Sequence, residues 1–313
     1  MIETAVLYSV LNLLFILLIS PLFMTFIKKV KARTQRRSGP PLMQGYRNLA
    51  KLFQKEVIYS DYSSFISHIA PYASFSILIV AALMVPVIWI PAYEPFAGNI
   101  IIFLYLLATA RFLLALLGLD AGSTFGGMGS SREMSLSAVI EPTTVVVFAA
   151  MAYVMGTLSI PDMFRHATDV FPAMSPTILL LSVSLFIIII VETGRIPVDN
   201  PETHLELTMI HEGMLLDTSG RNLALFELSH AVKQTLLMAL LLNILIPLGI
   251  TREFSALGLL GAGILFLIKG FGLCILIGLV ESSVAKMRFF RLPNLFLMAF
   301  FFSVLTIFSE VMI

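Results

Sequence analysis

The stretch TILLLSVSLFIIII at 177–190 runs directly into VETGRIPVDNPETHLELTMIHE at 191–212. The first part has the composition of a helix that lies inside a lipid bilayer. The second part contains five carboxylates, which are Glu192, Asp199, Glu202, Glu206 and Glu212. Two histidines and one arginine are interleaved with them. The pattern indicates a membrane helix with a dense acidic patch at its end.

The composition of the whole chain also indicates a membrane protein. Of its 313 residues, 58% are hydrophobic and only 12% are charged, about half the charged fraction of a soluble domain. A run of roughly 20 apolar residues is needed to cross the bilayer. Eight such runs occur: 5–27, 66–90, 98–119, 137–160, 172–191, 231–250, 257–280 and 289–308. The sequence therefore predicts an all-α polytopic membrane protein, with eight transmembrane helices in a single integral membrane domain over 1–313.

The distribution of lysine and arginine predicts the orientation. Four predicted loops lie on one side: 28–65, 120–136, 192–230 and 281–288. Together with Arg291 at the edge of the last loop, they carry 15 basic residues, whereas the opposite loops carry only Arg165 and Arg252. Because basic loops stay in the cytoplasm, we expect these four loops there. Both termini are then outside the cytoplasmic (inner) cell membrane.

The first large loop contains a predicted amphipathic helix. In LMQGYRNLAKLFQKEV at 42–57, apolar residues recur at helical spacing, while Arg47 and Lys51 belong to the polar face. Such a helix can lie on the lipid surface or dock a partner protein, and the sequence leaves both open. The preceding basic stretch, which includes Arg36 and Arg37, is typical of a cluster that holds a loop in the cytoplasm.

Little in the sequence supports a cofactor in this chain. The single cysteine, Cys274, cannot hold an iron–sulfur cluster, which needs about four thiolates. No histidine lies deep in a predicted membrane helix, and no HExxH motif is present. His204 and His211 favour proton transfer or hydrogen bonding over metal binding, so no metal site is predicted. The net charge of +1 gives no support to nucleic-acid binding.

Ionisable residues inside predicted helices are the candidates for function, because a charge at membrane depth is costly. Glu141 precedes Pro142 in the fourth helix and is predicted to be a proton-relay acid, with an interfacial acid that snorkels or a structural partner of Arg111 as the alternatives. Arg111 stays charged and needs a carboxylate or carbonyls nearby, and Glu141 and Asp120 are the candidate carboxylates. Lys269 in the seventh helix is a possible proton site, with pairing to a lipid or to a neighbouring helix as the alternative.

The acids at the basic side extend this set. Glu192, Glu227 and Glu281 lie at helix ends and add to the acids of the 191–212 segment, against few basic residues such as Arg195. Closely spaced carboxylates cannot all ionise, so some hold protons near neutral pH. The predicted proton-carrying residues are Glu141, Glu192, Asp199, Glu202, Glu206, Glu212, Glu227 and Lys269, with Arg111 and Arg195 as charge partners.

Two stretches carry a family resemblance. RRSGPPLMQGYRNLAKLFQKE at 36–56 and ETGRIPVDNPETHLELTMIHEGMLLDTSGRNLALFE at 192–227 resemble the membrane anchor subunit of group 4, energy-converting nickel–iron hydrogenases. These enzymes include formate hydrogenlyase and the membrane-bound hydrogenases of archaea. The anchor subunit is homologous to mitochondrial subunit 1 of respiratory complex I, and the resemblance spans the chain.

The resemblance implies a role in a larger complex. The cytoplasmic loops would dock a redox arm made of hydrogenase large and small subunits and an iron–sulfur subunit. That arm would hold the nickel–iron centre and the iron–sulfur clusters, so no catalytic residue is expected in this chain. The buried acids would begin a proton path toward antiporter-like membrane subunits. The residues expected to dock the arm are Arg36, Arg37, Arg47, Lys51, His204 and His211.

Two other functions fit parts of the pattern. The chain could be the quinone-reactive subunit of a complex I-like NADH or ferredoxin:quinone oxidoreductase, or the same subunit in a sulfur-reducing relative. His204 stands where complex I usually has another acid, and the next acid comes early, at Glu212, which weakens the resemblance to a quinone site. A stand-alone transporter would be expected to show inverted repeats and interrupted helices, and neither is evident.

Overall fold

A computed structural model describes residues 2–90, 98–170, 176–199, 209–252 and 255–312. The described residues form α-helices joined by short connections, with one 3₁₀ turn at Phe289–Arg291. The helices are α1 (Ile2–Thr34), α2 (Gln44–Gln54), α3 (Phe65–Met84), α4 (Ile100–Asp120), α5 (Thr124–Met155), α6 (Ile160–Val170), α7 (Pro176–Glu192), α8 (His211–Leu215), α9 (Gly220–Leu245), α10 (Ala256–Ser283) and α11 (Leu292–Met312). This confirms the all-α class.

Seven of these helices are long and apolar enough to cross a membrane: α1, α3, α4, α5, α9, α10 and α11. The fifth predicted crossing corresponds to α7, whose 17 described residues form a shorter apolar helix that ends at Glu192. The molecule is therefore a multi-pass membrane protein, with seven long helices and one shorter apolar helix where the sequence predicts eight crossings. In α9, 83% of the apolar window is buried, against 22% in α11, so α9 is central and α11 peripheral.

Contacts between connections sort them into two ends of the helix bundle, as the charge pattern predicts. At one end, Ile58 N–H donates to Ser219 Oγ (2.8 Å) and Met287 N–H donates to the Pro197 carbonyl (2.9 Å). At the other end, Ile100 N–H donates to the Leu158 carbonyl (2.9 Å). We call the first the basic end, because it contains the loops that carry 15 basic residues. Which end faces the cytoplasm stays a prediction.

The segment 120–136, predicted as a loop, is mostly helical. Helix α5 begins at Thr124, where the Ser123 hydroxyl caps it by accepting from Gly126 N–H (3.0 Å). Here α4 and α5 approach so closely that a Cβ on Gly126 would lie 2.4 Å from the Gly118 carbonyl oxygen. Glycine permits this approach. The helix therefore continues past the membrane-spanning part, because its polar first turns pack on α4 and α8.

The predicted amphipathic helix of the first loop is confirmed as α2, Gln44–Gln54. It packs on α1 and α9 at the basic end. Gly45 N–H donates to Thr25 Oγ1 (3.2 Å), which joins the start of α2 to the turn of α1 that follows Pro21. Arg47 and Lys51 point away from this contact and are exposed. The helix thus covers the basic end of the bundle and presents its charges outward.

Candidate functional site

Arg111 of α4 lies at the centre of a buried charge cluster. Its guanidinium is bonded to Glu192 Oε1 at the end of α7. Two carboxylates of α5 lie nearby. Glu133 Oε1 lies 3.5 Å from Arg111 Nε, and Glu141 Oε1 lies 3.8 Å from the terminal nitrogen that does not contact Glu192. The Arg111 side chain is 6% exposed, so its ion pairs are largely shielded from bulk solvent. One cation is thus shared by three acids from two helices.

Glu192 also binds a second cation. The ammonium of Lys233, on the central helix α9, lies 2.7 Å from Glu192 Oε2. The Glu192 side chain is 3% exposed and the Lys233 side chain 11% exposed. A lone carboxylate would be costly to bury here, and two cations compensate for that cost. We call Arg111, Glu133, Glu141, Glu192 and Lys233 the central cluster.

Arg195 forms a second buried group three residues after α7. One terminal nitrogen lies 2.6 Å from Glu281 Oε1 of α10. The other donates to the side-chain carbonyl of Gln234 in α9 (2.6 Å). Arg195 and Glu281 are 8% and 7% exposed. This group connects the segment after α7 to both α9 and α10, and it therefore fixes the start of the acidic segment.

Asp199 is 1% exposed, and its contacts include three donors. One carboxylate oxygen accepts from the backbone N–H groups of Ile210 (3.0 Å) and His211 (3.1 Å). The other oxygen lies 2.8 Å from the ammonium of Lys286. Asp199 therefore brings the two described ends of the acidic segment together and orients the start of α8.

A cavity of about 350 Å³ opens at the basic end between α1, α2, α8, α9 and the 193–199 segment. We call it the wide cavity. Its ionisable lining residues are Lys28, Lys31, Arg195, Asp199, His211, Glu212, Glu227, His230 and Glu281. Acids and bases are both present, so the cavity is strongly polar, and its size falls within the range of small-molecule pockets, about 300–1,000 Å³.

A smaller cavity, of about 50 Å³, lies deeper between α3, α4, α5, α7 and α9. We call it the narrow cavity. Its lining includes Arg111, Glu133, Glu192 and Lys233 of the central cluster. It has room for a few water molecules, since one water needs about 10–15 Å³ by this measure, and it has polar partners for them. Water and ionisable side chains together are the means by which protons move through a protein interior.

A third cavity, of about 350 Å³, lies between α4 and α5 and has a mostly apolar lining. We call it the lateral cavity. Arg111 and Glu192 line it as well as the narrow cavity, and Glu141 is its other acid. The Glu141 side chain is 51% exposed. Tyr105 and Val145, which also line the cavity, are exposed on the flank of the bundle. The central cluster therefore separates the interior of the molecule from its side.

Most of the predicted site residues fall into three groups. Glu141, Glu192 and Arg111 come together in the central cluster, with Arg111 close to both acids. Four others line the wide cavity, namely Arg195, Asp199, Glu212 and Glu227. Glu202, His204 and Glu206 lie outside the described residues. Asp120, the other candidate partner of Arg111, instead accepts hydrogen bonds from Ser64 and Ser67.

Lys269 lies apart from the three cavities. Its ammonium donates to the carbonyls of Ile246 (2.9 Å) and Leu248 (2.8 Å), just beyond the end of α9. The last carbonyls of a helix lack helical partners, and a lysine there satisfies them. This geometry matches the alternative of a helix partner. Its use as a proton site stays a prediction.

The residues predicted to dock a redox arm also differ in position. Arg36, Arg37, Arg47 and Lys51 are exposed at the basic end, where a partner could reach them. His211 instead lines the wide and narrow cavities and is only partly exposed.

Sequence reasoning did not assign Glu133, His230, Lys233 or Lys286 to the site. Lys233 had a usable signal, because a lysine in an apolar helix needs a buried carboxylate. Glu133 was hidden by the prediction that 120–136 is a loop. His230 and Lys286 become recognisable only when α9 and the connection after α10 are placed beside Asp199 and His211. In the part of the chain that the structure describes, no three His, Cys, Asp or Glu side chains converge on a metal site.

Comparison with known proteins agrees with this architecture. The family model for NADH dehydrogenase matches residues 7–311. The chain is 31% identical to hydrogenase-4 component C of Escherichia coli, over 91% of this chain and 89% of the relative. It is 30% identical to formate hydrogenlyase subunit 4 of the same organism, over 97% and 98%. The family model includes every residue that lines the three cavities.

A solved structure has the same fold. A chain of the membrane-bound sulfane sulfur reductase, an archaeal respiratory membrane complex, superposes with a TM-score of 0.80 over 97% of this chain and 99% of that chain. The two sequences are 18% identical. This chain therefore belongs to the NADH dehydrogenase family of membrane subunits, which is shared by group 4 hydrogenase and complex I-like complexes.

Proposed function

We propose that this chain is the membrane-anchoring and proton-coupling subunit of a membrane-bound hydrogenase complex. One observation carries the proposal: three cavities follow one another from the basic end to the flank of α4 and α5, and ionisable residues separate them. Arg111 and Glu192 line both the narrow and the lateral cavity. His211 and Asp199 line both the wide and the narrow cavity. A route for protons needs this kind of continuity.

The charge balance of the central cluster suits a proton carrier. Three carboxylates, Glu133, Glu141 and Glu192, face two cations, Arg111 and Lys233. When all three acids are ionised, the cluster has one excess negative charge, and one proton neutralises it. When one of the three acids binds a proton, Arg111 can pair with another acid that is still ionised. This exchange of partners allows one acid to receive the proton and a different acid to release it.

The direction of transfer follows from the position of Glu141. Protons enter the wide cavity at the basic end, which we propose faces the cytoplasm, and reach Glu192 through water in the narrow cavity. They leave by Glu141, which faces the lateral cavity on the flank of the bundle. An antiporter-like membrane subunit packed on that flank would receive them. The exposed basic residues of α2 and the preceding loop would dock a redox arm that holds the nickel–iron centre and iron–sulfur clusters.

Purification of the complex tests this function. An affinity tag on this chain, with extraction in a mild detergent, should recover hydrogenase large and small subunits with stoichiometric nickel, together with antiporter-like subunits. The complex should evolve hydrogen from a reduced viologen. Recovery of a complex without nickel and without hydrogen evolution would contradict the proposal.

A quinone-reactive subunit is the second candidate, and the wide cavity favours it. A cavity of about 350 Å³ with polar and apolar walls could hold a quinone head group. The cavity is lined by more charged side chains than the apolar ring of a quinone requires. Solvent extraction of the purified complex decides between the two candidate functions. A quinone-reactive subunit predicts stoichiometric quinone in the extract and turnover that depends on added quinone.

A further inference from the structure

The boundary between the wide and the narrow cavity is a thin wall of side chains. Six residues line both cavities: Gly194, Asp199, His211, Leu215, Phe226 and His230. Gly194, Leu215 and Phe226 have no ionisable group. A proton that crosses the wall on a side chain must therefore use Asp199, His211 or His230.

Asp199 is unsuited to the transfer. Both its oxygens are occupied, by the N–H groups of Ile210 and His211 and by the Lys286 ammonium. A proton that arrives at either oxygen would have to compete with these donors for the oxygen lone pairs. The contact of Asp199 with the His211 N–H instead fixes the backbone that carries the first imidazole. Asp199 thus positions His211.

Unlike the carboxylate of Asp199, the imidazoles of His211 and His230 are suited to proton transfer. No hydrogen bond joins either imidazole to another side chain or to the backbone among the described residues. The ring centroids lie 5.0 Å apart, with an interplanar angle of 49°. His211 belongs to α8 and His230 to α9, so the rings meet from different helices. An imidazole can accept a proton on one nitrogen and release it from the other, which suits it to carry protons between two compartments.

We propose that His211 and His230 form a proton relay across this wall; the inference rests on the proposed function and adds the residues of one step. A water in the wide cavity gives its proton to one nitrogen of His211. The other nitrogen releases a proton, directly or through one water, to His230. His230 then gives a proton to water in the narrow cavity, beside Lys233 and Glu192. Each step moves one proton, and both rings return to the neutral form.

The relay carries one excess proton at a time, because two adjacent imidazolium ions would repel each other. Charged groups of many segments line the two cavities beside the rings: Lys28 and Lys31 of α1, Arg111 of α4, Glu133 of α5, Glu192 of α7, Arg195 and Asp199 after it, Glu212 of α8, Glu227 and Lys233 of α9, and Glu281 of α10. The acids at the mouth, Glu212 and Glu227, attract protons into the wide cavity.

Proton translocation per hydrogen evolved, measured with the intact complex in inverted vesicles, tests the relay. The variants are His211→Ala, His230→Ala and the corresponding asparagine substitutions, which keep a polar side chain without a titratable ring. The control is His68→Ala, an exposed histidine of α3 that contacts Tyr59 outside the three cavities. We expect the ratio to fall at least about tenfold in the relay variants, since a positioned acid–base group contributes ~10²–10⁴-fold. It should be unchanged in the control.

Imidazole added to the vesicles distinguishes a relay from a structural role. It can enter the wide cavity and replace the missing ring, so it should restore much of the ratio in the alanine variants. If an alanine variant does not assemble, the asparagine variant at the same position gives the decisive ratio.

Three results separate the possible failures. A normal ratio in both asparagine variants, with a low ratio in Glu141→Gln, would overturn the relay and leave the proposed function intact. A normal ratio in the histidine variants and in Glu141→Gln would overturn both. A fall that imidazole does not restore in assembled alanine variants would assign the histidines a structural role and refute the relay.

Discussion

Replacement of Glu192 by glutamine tests whether the central cluster is held together by charge. The substitution keeps size and hydrogen bonding but removes the negative charge that faces Arg111 and Lys233. Arg111 retains Glu133 at 3.5 Å and Glu141 at 3.8 Å. Lys233, which is 11% exposed, has no other carboxylate within 4 Å among the described residues. The substitution therefore leaves one buried cation unpaired.

The size of the effect follows from that single unpaired charge. Breaking a buried ion pair costs roughly 3–5 kcal/mol. Because Arg111 keeps two partners, we expect the lower end, about 3 kcal/mol in the free energy of unfolding, or a factor of about 100–200 in the equilibrium constant. The comparison is Asp169→Asn, whose carboxylate pairs with Arg252 at 2.7 Å but is 64% exposed. An exposed pair contributes about 0–1 kcal/mol.

Unfolding of the purified chain by SDS in mixed micelles measures both changes. The double variant Glu192→Gln/Lys233→Met removes the unpaired cation as well, so it should be less destabilised than the sum of the single variants, by about 1–3 kcal/mol. If Glu192→Gln lowers the free energy of unfolding no more than Asp169→Asn does, the cluster is not stabilised as described. Additivity in the double variant would also contradict the pairing of Glu192 with Lys233.

Three further predictions concern packing, topology and cofactors. Gly126→Ala should destabilise the chain by about 1–3 kcal/mol, because its Cβ would lie 2.4 Å from the Gly118 carbonyl oxygen. The control Gly127→Ala should not destabilise the chain, because the space around Gly127 is open. Equal thermal stability of the two variants would refute the close contact of α4 and α5. Cysteine at Ser255 should react with an impermeant maleimide on intact cells and cysteine at Ser38 only after permeabilisation, and the reverse pattern would invert the topology. The chain purified alone should contain no stoichiometric iron, and iron at one or more atoms per chain would contradict the prediction that this chain holds no cofactor.

The sequence was sufficient to predict the class of the fold and the position of most membrane helices. Long apolar runs separated by charged loops allow few alternatives in a bilayer, since only a helix satisfies its own backbone there. The 15-to-2 basic asymmetry also sorted the loops into two groups, and the contacts between Ile58 and Ser219 and between Met287 and Pro197 join loops of one group. The boundaries of α5 were missed, because apolar periodicity fades where a polar helix packs on neighbouring protein.

The candidate site was only partly predictable. Glu141, Glu192 and Arg111 were recognised because a charge in an apolar run is conspicuous. Their mutual distances were not, because they depend on how α4, α5 and α7 rotate and cross. Lys233 is 41 positions from Glu192 along the chain, and their contact of 2.7 Å follows only from the packing of α7 on α9. The three cavities likewise arise between helices, and no local pattern encodes them.

Proton transfer through the lateral cavity can be tested by the ratio of protons translocated to hydrogen evolved in Glu141→Gln. Glu141 lines the lateral cavity together with Glu192 and lies 3.8 Å from Arg111, and glutamine there keeps size and hydrogen bonding but cannot titrate. We expect that the complex assembles, evolves hydrogen from a reduced viologen, and translocates far fewer protons per hydrogen in inverted vesicles. An assembled Glu141→Gln complex with the wild-type ratio would contradict the proposed proton path.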